Sequence, residues 1–418
     1  MNPRTAPRRK RSLSLLACSV CLLFITSGGG MTSGGPAVRH DSYTQTRAGV
    51  GPGADYVVVL LPAPAPLTDS VGQGAGAGQA AGAGRIPGSA SPHETHAIFW
   101  PPGGGVGVDL HPPGFRYSGA LDTDGRRQVG HGNGPPTQFA RHALLWQGSG
   151  AGYVDRHPAG VWNDSVARAV AGDQQVGNVN NYFFTTYERV IVEHAALWRG
   201  AAAGVVDLHP SGIGCERSYA NDTDGRRQVG YGYFPAAANT APYRALLWSG
   251  TAASAVVLHP PGYTHSFAEG VGGGEQVGYA FDAHSGGGTR ALLWRGTAAG
   301  VVSLHPPGYA ATSALATNGS MQVGFGNTAA TDPHSHALLW SGTAGSVKDL
   351  HSLLPPEFAR GSSVAHDIDA EGNVVGLAQR PDGSTVAVQW RRVPRMPTSL
   401  QPRRNLSEGD GQWSRSGG

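Results

Sequence analysis

Tryptophan returns along this chain at a nearly fixed interval. Trp100, Trp146, Trp198, Trp248, Trp294, Trp340 and Trp390 lie 46 to 52 residues apart. A period of about 48 residues admits few architectures, because each unit is a small supersecondary structure that must bury its apolar face against the next copy. The stretch from Arg244 to Tyr263, RALLWSGTAASAVVLHPPGY, is the clearest copy of the repeated unit.

That copy reads as four short strands. Ser218-Tyr219-Ala220 opens it, and Asn221-Asp222-Thr223-Asp224-Gly225 has the Asp-Gly chemistry of a hairpin turn. Arg226 to Tyr231 is the second strand, Arg244 to Trp248 the third and Val256 to His259 the fourth, which Pro260-Pro261-Gly262 terminates because proline cannot donate to a ladder. Third strands such as Ala291-Leu292-Leu293-Trp294 are apolar on both faces, as a sheet sandwiched between sheets requires. No segment carries a helical period, and Gly-Pro breaks are frequent. The fold expected is all-β: a propeller of about seven four-stranded antiparallel blades, with six as the alternative, over residues 55–390.

The strand count adds a further expectation. There are seven third strands but only six fourth strands, since the last repeat runs from Val386–Trp390 into Arg391-Arg392. The one unassigned β-branched run is Tyr56 to Leu61 (YVVVLL). Placing it beside Val386–Trp390 closes the ring and removes an exposed edge. Between it and the first tryptophan, residues 72–90 (GQGAGAGQAAGAGRIPGSA within them) read as a loop or a decayed piece of repeat, because that composition offers little to pack.

The ends of the chain read differently. RRKR at 8–11, the apolar run Leu13–Ile25 and the small residues at 27–30 form the pattern of a secretory signal peptide over residues 1–30, too short to span a bilayer. Residues 31–54 read as a flexible lead-in and 391–418 as a disordered tail. The signal segment holds five of the 31 basic residues and none of the 28 acidic ones, so the remainder carries a net −2. A near-neutral exported chain has no general attraction to nucleic acid or anionic lipid. Cys18 and Cys21 lie in that segment, leaving Cys215 alone and no internal disulfide.

The recurring S-x-A, then D-x-x-G-x-x-V-G, H-A-x-L-W and V-x-D-L resembles the bacterial extracellular repeats of the HAF family. The closest stretches are His96-Ala97-Ile98-Phe99-Trp100, His142–Trp146, His336–Trp340 and Ala365–Gly376. The resemblance covers roughly 94–390 and departs where the fourth strand ends in Leu-His-Pro. It implies an exported propeller-like protein, and it supplies no catalytic residues.

Candidate sites are few. His111, His157, His209, His259, His305 and His351 end the fourth strands, where outermost positions on diverging blades are too far apart to share a metal, so a capping role is expected. The hairpins at Asp122–Gly125, Asp222–Gly225 and Asp367–Gly372 place acids at calcium-like spacing, best at Asp367, Asp369 and Glu371, although turn chemistry alone also calls for Asp and Gly. The seven tryptophans are expected in the core, and Trp162, off register in a connecting loop, is the better candidate for a ligand contact. There is no G-x-S-x-G, H-E-x-x-H, P-loop or G-x-G-x-x-G.

No catalytic residue, metal or cofactor is assigned from sequence. The function expected is an extracellular or periplasmic, monomeric binding module for an unknown glycan or protein. Specificity would then lie in the variable loops 133–141, 178–188, 234–243, 281–289 and 327–335. The rival is a propeller hydrolase or lyase acting on an extracellular polysaccharide, which requires carboxylates or a His–carboxylate pair converging in one pocket. A channel lined only by Ala, Gly, Ser and Val would exclude it.

Overall fold

The computed structural model describes residues 55–393, apart from positions 90, 92–93, 149, 151, 185–188, 201–203, 236–241, 283–287 and 329–333. The expected signal segment, lead-in and most of the tail lie outside the described residues. Strand β1 (Tyr56–Leu61) is followed by six blades: β2–β5 (Thr68–Gly76, Gln79–Arg85, Thr95–Trp100, Val108–Asp109), β6–β9 (Tyr117–Thr123, Arg127–Asn133, Arg141–Gln147, Tyr153–Asp155) and β10–β13 (Asp164–Ala171, Gln174–Phe184, Arg189–Arg199, Val205–Asp207). Next come β14–β17 (Arg217–Thr223, Gln228–Tyr233, Tyr243–Trp248, Val256–Val257), β18–β21 (Tyr263–Gly272, Glu275–Asp282, Thr289–Trp294, Val302–Ser303) and β22–β25 (Ala311–Thr317, Gln322–Asn327, His336–Trp340, Lys348–Asp349). The last three strands are β26–β28 (Ser362–Ile368, Val374–Gln379, Thr385–Arg392).

Each blade is an antiparallel sheet in chain order, and the seventh has the order β1-β28-β27-β26. The fold is a seven-bladed β-propeller, closed as the strand count requires. Tyr56 pairs with Arg392 and Leu61 with Ala387, so β28 continues two residues past Trp390. No described helix is long and apolar enough to cross a membrane.

The core is distributed rather than central. Among the described residues seven apolar clusters occur, one at each blade–blade interface. All seven repeat tryptophans are fully buried in them. Three also donate their indole N–H to a carbonyl of the preceding blade or clasp: Trp100 to Pro62, Trp146 to Leu110 and Trp390 to Leu350, each at 2.9 Å.

Two sequence expectations need correcting. The Gly/Ala stretch is no loop: β2 and β3 are full strands of the first blade. Small residues are what those positions need, since a Cβ on Gly74 would fall 2.4 Å from Asp122 Cα of the next blade and one on Gly82 would fall 1.9 Å from the Val71 carbonyl oxygen. Asn221 and Asp222 belong to strand β14, not to the turn. A β-bulge there shifts the register between Ala220 and Asp222, and the turn begins at Asp224.

Strand β1 buries Tyr56, Val58 and Leu61, each 4% exposed or less. At about 1.5–3 kcal/mol per buried large apolar side chain, deleting residues 50–62 should remove several kcal/mol and expose the edge of β28. The melting temperature of the whole ring should fall in differential scanning calorimetry. Truncation after Arg395 should leave it nearly unchanged.

Candidate functional site

The six strand-ending histidines are part of a clasp that repeats around the ring. At the head of each innermost strand stands a hydroxyl residue: Ser70, Ser118, Ser165, Ser218, Ser266, Thr312 or Ser363. Each hydroxyl oxygen accepts the backbone N–H of an alanine on the third strand of the preceding blade, at 2.9–3.0 Å. Each histidine brings Nδ1 to within 2.8–2.9 Å of the same oxygen. His111 Nε2 faces the Phe115 carbonyl at 3.1 Å and His157 Nε2 faces that of Trp162 at 3.2 Å. A carbonyl can only accept, so in these two rings Nε2 carries the proton and Nδ1 accepts from the hydroxyl; in His305 the roles reverse, since Arg290 Nη1 donates to Nε2 at 2.9 Å. At the seventh interface, where no histidine exists, Ser70 donates to the Leu61 carbonyl instead.

Four of these histidines stack on a second one at ring distances of 3.8–4.1 Å, and the second is held by an aspartate. The sets are Asp109–His96–His111, Asp155–His142–His157, Asp207–His194–His209 and Asp349–His336–His351. Arg244 and Arg290 take the place of the second ring in the fourth and fifth blades. Burial first, and the neighbouring His or Arg second, pushes all six strand-ending imidazoles below their usual range. The Asp, His and Ser here imitate a nucleophilic triad in composition alone. The hydroxyl is buried and already accepts a backbone N–H, so it has no access to a substrate.

The residues that face the axis are set by the bulges. Every innermost strand carries one at the same place, and the seven bulged residues are Gln73, Leu121, Arg168, Asn221, Glu269, Leu315 and His366. All seven are half-buried, each after a buried Ala or Gly. Two of them bond to the residue before the next blade's bulge: His366 Nδ1 to the Gly72 carbonyl at 2.6 Å and Asn221 Nδ2 to that of Ala268 at 3.1 Å. Asn221 also donates to Glu269 Oε2 at 2.9 Å.

One residue further along stand Asp122, Asp222 and Asp367. Each accepts the N–H of its own successor and, at 2.7 Å, an N–H of the next blade, from Val170, Val271 and Ala75 respectively. These carboxyls tie inner strands together at three of the seven interfaces. Burial pushes Asp222 up to about 8, and Asp122 and Asp367 are raised for the same reason, Asp367 adding to the shift of Asp122. The calcium-like triplet does not converge. Asp369 accepts the N–H groups of Gly78 and Asn373 at 2.9 and 2.7 Å, while Glu371 is exposed. Among the described residues no three His, Cys, Asp or Glu side chains are placed to hold a metal.

Above this level the ring loses its symmetry. In the fourth and fifth blades the paired positions of the two inner strands are aromatic, and they form a run. Tyr219 stacks on Tyr231 at 4.7 Å, Tyr231 meets Phe267 edge-on at 4.9 Å, and Phe267 stacks on Tyr279 at 5.1 Å. Tyr243 and Phe281 continue it toward the blade ends, 5.7 and 6.2 Å from Phe267. Tyr219 and Tyr231 are buried, whereas Phe267, Tyr279, Phe281 and Tyr243 are half-exposed. Beside the run stand Glu193, which accepts from the Tyr219 hydroxyl, and the bulge residues Arg168 and Glu269. Burial pushes Glu269 up to about 7 even though Arg168 opposes it. Carboxyl groups and arginine therefore occur at the axis. The channel is not lined only by Ala, Gly, Ser and Val, and the composition that would have excluded an enzyme is absent.

The other sequence-level candidates lie elsewhere. Trp162 is half-buried, packs against the interface of the second and third blades and meets His194 edge-on at 5.2 Å. Of the five variable loops, 133–141 is described, and parts of the other four lie outside the described residues. A cavity of about 610 Å³ sits at the rim between the sixth blade and the clasp, lined by Tyr56, Met321, Lys348, Glu371 and Arg392 among others. Lys348 is paired there with Asp55 at 2.7 Å. This cavity is remote from the bulge ring, and its walls end at Asp55 and Val393, next to undescribed chain. The bulge residues escaped sequence reasoning, although a signal existed: the residue after each S-x-A (T-S-A before Leu315, S-V-G before Gln73) is Arg, Asn, Glu, His, Leu or Gln, a repeat position with no constant chemistry.

No family model matches the chain, and no curated protein matches it by sequence. Solved structures do share the fold. The chain is similar to an acylaminoacyl peptidase of Pyrococcus horikoshii (11% identity, TM-score 0.48, 79% of this chain covered) and spans about half, 52%, of that chain. It is similar to the β-propeller domain of the Trilobed protease from Pyrococcus furiosus (8%, 0.49, covering 78% and 94%) and to the polysaccharide lyase Uly1 (10%, 0.42, covering 83% and 94%). At these values the likeness concerns the fold alone.

Replacing Ser118 with Ala leaves the Ala97 N–H and His111 Nδ1 unpaired, and should cost about 1–3 kcal/mol in chemical denaturation. The histidines give the clasp a pH dependence of defined sign. Their folded values lie below the unfolded value of about 6.5, so the fold prefers the neutral ring. Each contributes fully above that pH and loses its contribution as pH falls from there toward the folded value. The destabilisation caused by His111→Gln should therefore be larger at pH 8 than at pH 5.

Proposed function

We propose that this protein is an exported propeller of the HAF-repeat kind that binds a sugar chain at one mouth of its central channel, without turning it over. The observation that carries this reading is the aromatic run of the fourth and fifth blades. Half-exposed rings flanked by carboxyl, amide and guanidinium groups offer stacking faces and directional hydrogen bonds together, which is what a polyhydroxylated ring needs. The near-neutral charge after the signal segment and the HAF-like repeat support an extracellular or periplasmic monomer with a glycan, rather than nucleic acid, as partner. The run is off-axis, so the ligand lies against two blades instead of threading the ring.

One observation favours a second reading, a hydrolase or lyase acting on an extracellular polysaccharide. Glu269 is half-buried, stands near neutrality in its proton affinity and is opposed in that shift by Arg168, a combination suited to proton transfer. The two readings part on turnover.

On a glycan array the wild-type protein should retain a subset of chains, and Phe281→Ala and Tyr279→Ala should each weaken retention about tenfold, at 1–2 kcal/mol per lost stacking face. Their circular dichroism spectra should stay unchanged. If the array and a cell-surface pull-down are both blank while a polysaccharide panel is cleaved, with Glu269→Gln abolishing cleavage, the enzyme reading replaces the binding one.

A further inference from the structure

On the side of the mouth opposite the aromatic run, one group lacks a partner. His131 stands on β7, in register with Gly119 and Ala143. Its Nδ1 is enclosed and takes part in no hydrogen bond with the protein. Its ring lies over Gly119, where a Cβ would fall 3.3 Å from Cε1, so the missing side chain is what gives the imidazole its place. Tyr117 meets it edge-on at 6.5 Å. Among the described residues no carboxylate is hydrogen-bonded or ion-paired to this ring. The charged groups beside it are Arg141 at the head of the neighbouring strand and Arg168 on the bulge of the next blade, and together with burial they hold the imidazole neutral, with its affinity for a proton lowered to about 3. Arg141 gives its backbone N–H to Asp164 at 2.7 Å and Arg168 gives Nε to Asn178 at 3.2 Å, so the backbone of one and the guanidinium of the other are fixed in place. Enclosed polar atoms are almost always paired, and because the His131 ring as a whole is only half-buried, a turn of the imidazole brings an N–H out to an acceptor that bears negative charge beside the two arginines.

We propose that His131, Arg141 and Arg168 form a subsite for an oxyanion group, a uronate carboxylate or a sulfate ester, on the sugar chain held by the aromatic run. This inference rests on the glycan-binding reading and narrows it to acidic chains. Arg168 stands at the bulge of the third blade, between the second blade that carries His131 and the fourth that carries Tyr231. Binding of an anion gives the neutral imidazole an acceptor for an N–H and places the negative charge between the two arginines. Glu269 is the competitor for Arg168, and Asn221 already engages it from the far side.

The test compares a glucuronate-containing oligosaccharide with its carboxyl-reduced counterpart by titration calorimetry on the full chain, which needs no variant. The acidic chain should bind at least about tenfold tighter, the yield of one charge-assisted pair. Rising salt should erode the difference, and Arg168→Gln should abolish it, the acidic and the reduced chain then binding equally. A sulfated chain of the same linkage separates sulfate from carboxylate recognition. Equal affinity for acidic and reduced chains overturns the subsite and leaves glycan binding standing. If neither chain binds, the glycan reading fails, and the subsite is decided by free glucuronate and inorganic sulfate against glucose. Movement of the His131 ring resonances in NMR with the two anions alone supports it. No movement, or equal movement with glucose, overturns it.

Discussion

A single hydrogen-bond unit recurs at every seam of the ring and holds the blades in phase: an alanine N–H on one third strand, given to a serine or threonine hydroxyl on the next innermost strand. Sheets packed face to face by apolar surface alone can slide, because hydrophobic contact has no direction. The hydroxyl fixes the position. It is buried, so breaking it strands a donor in a place water does not reach, and the cost of an unmade bond exceeds the gain from a made one. At His111 the strand-ending imidazole accepts the hydroxyl's O–H at Nδ1 and donates Nε2–H to the Phe115 carbonyl, continuing the chain of bonds. Where the histidine is absent, at the seam closed by β1, the Leu61 carbonyl does the same work.

Small residues follow from that alignment. Inner strands of adjacent blades come close enough that Gly74 and Gly270 leave no space for a side chain against Asp122 and Ala316. The chain therefore spends much of its glycine and alanine near the axis, and the first blade, made almost wholly of them, packs as firmly as the others. The bulge on each inner strand releases this constraint at one position. The extra residue is excluded from the ladder and only half-buried, so its size and charge differ from blade to blade. A nearly symmetric scaffold thus acquires seven independent positions, and their contents differ: Gln73, Leu121, Arg168, Asn221, Glu269, Leu315 and His366.

Polarity at the centre is kept from being costly by the backbone. Asp122, Asp222 and Asp367 each receive two N–H donors, one from the adjacent blade, so enclosed carboxyls serve as inter-blade ties. Above them, aromatic residues on the fourth and fifth blades and the His131–Arg141–Arg168 group on the second and third make a mouth with two unlike walls. That asymmetry, set on a rigid ring, is the feature of the molecule that points to a ligand.

The sequence by itself determined the class of fold, the number of blades and the closing strand. Those depend on periodic burial: tryptophan at a fixed position, apolar third strands, turn residues between them, and one strand left over at Tyr56–Leu61. Periodicity also placed the strand-ending histidines in capping roles. It could not separate Asp222 from the turn beside it, nor recognise strands in the Gly/Ala stretch, because a bulge and a close approach are relations to another strand and leave no local pattern. The mouth was decided by tertiary structure alone. Arg168 and His131 lie in different repeats, and Tyr231 and Phe267 belong to different blades. They meet only because consecutive blades pack face to face.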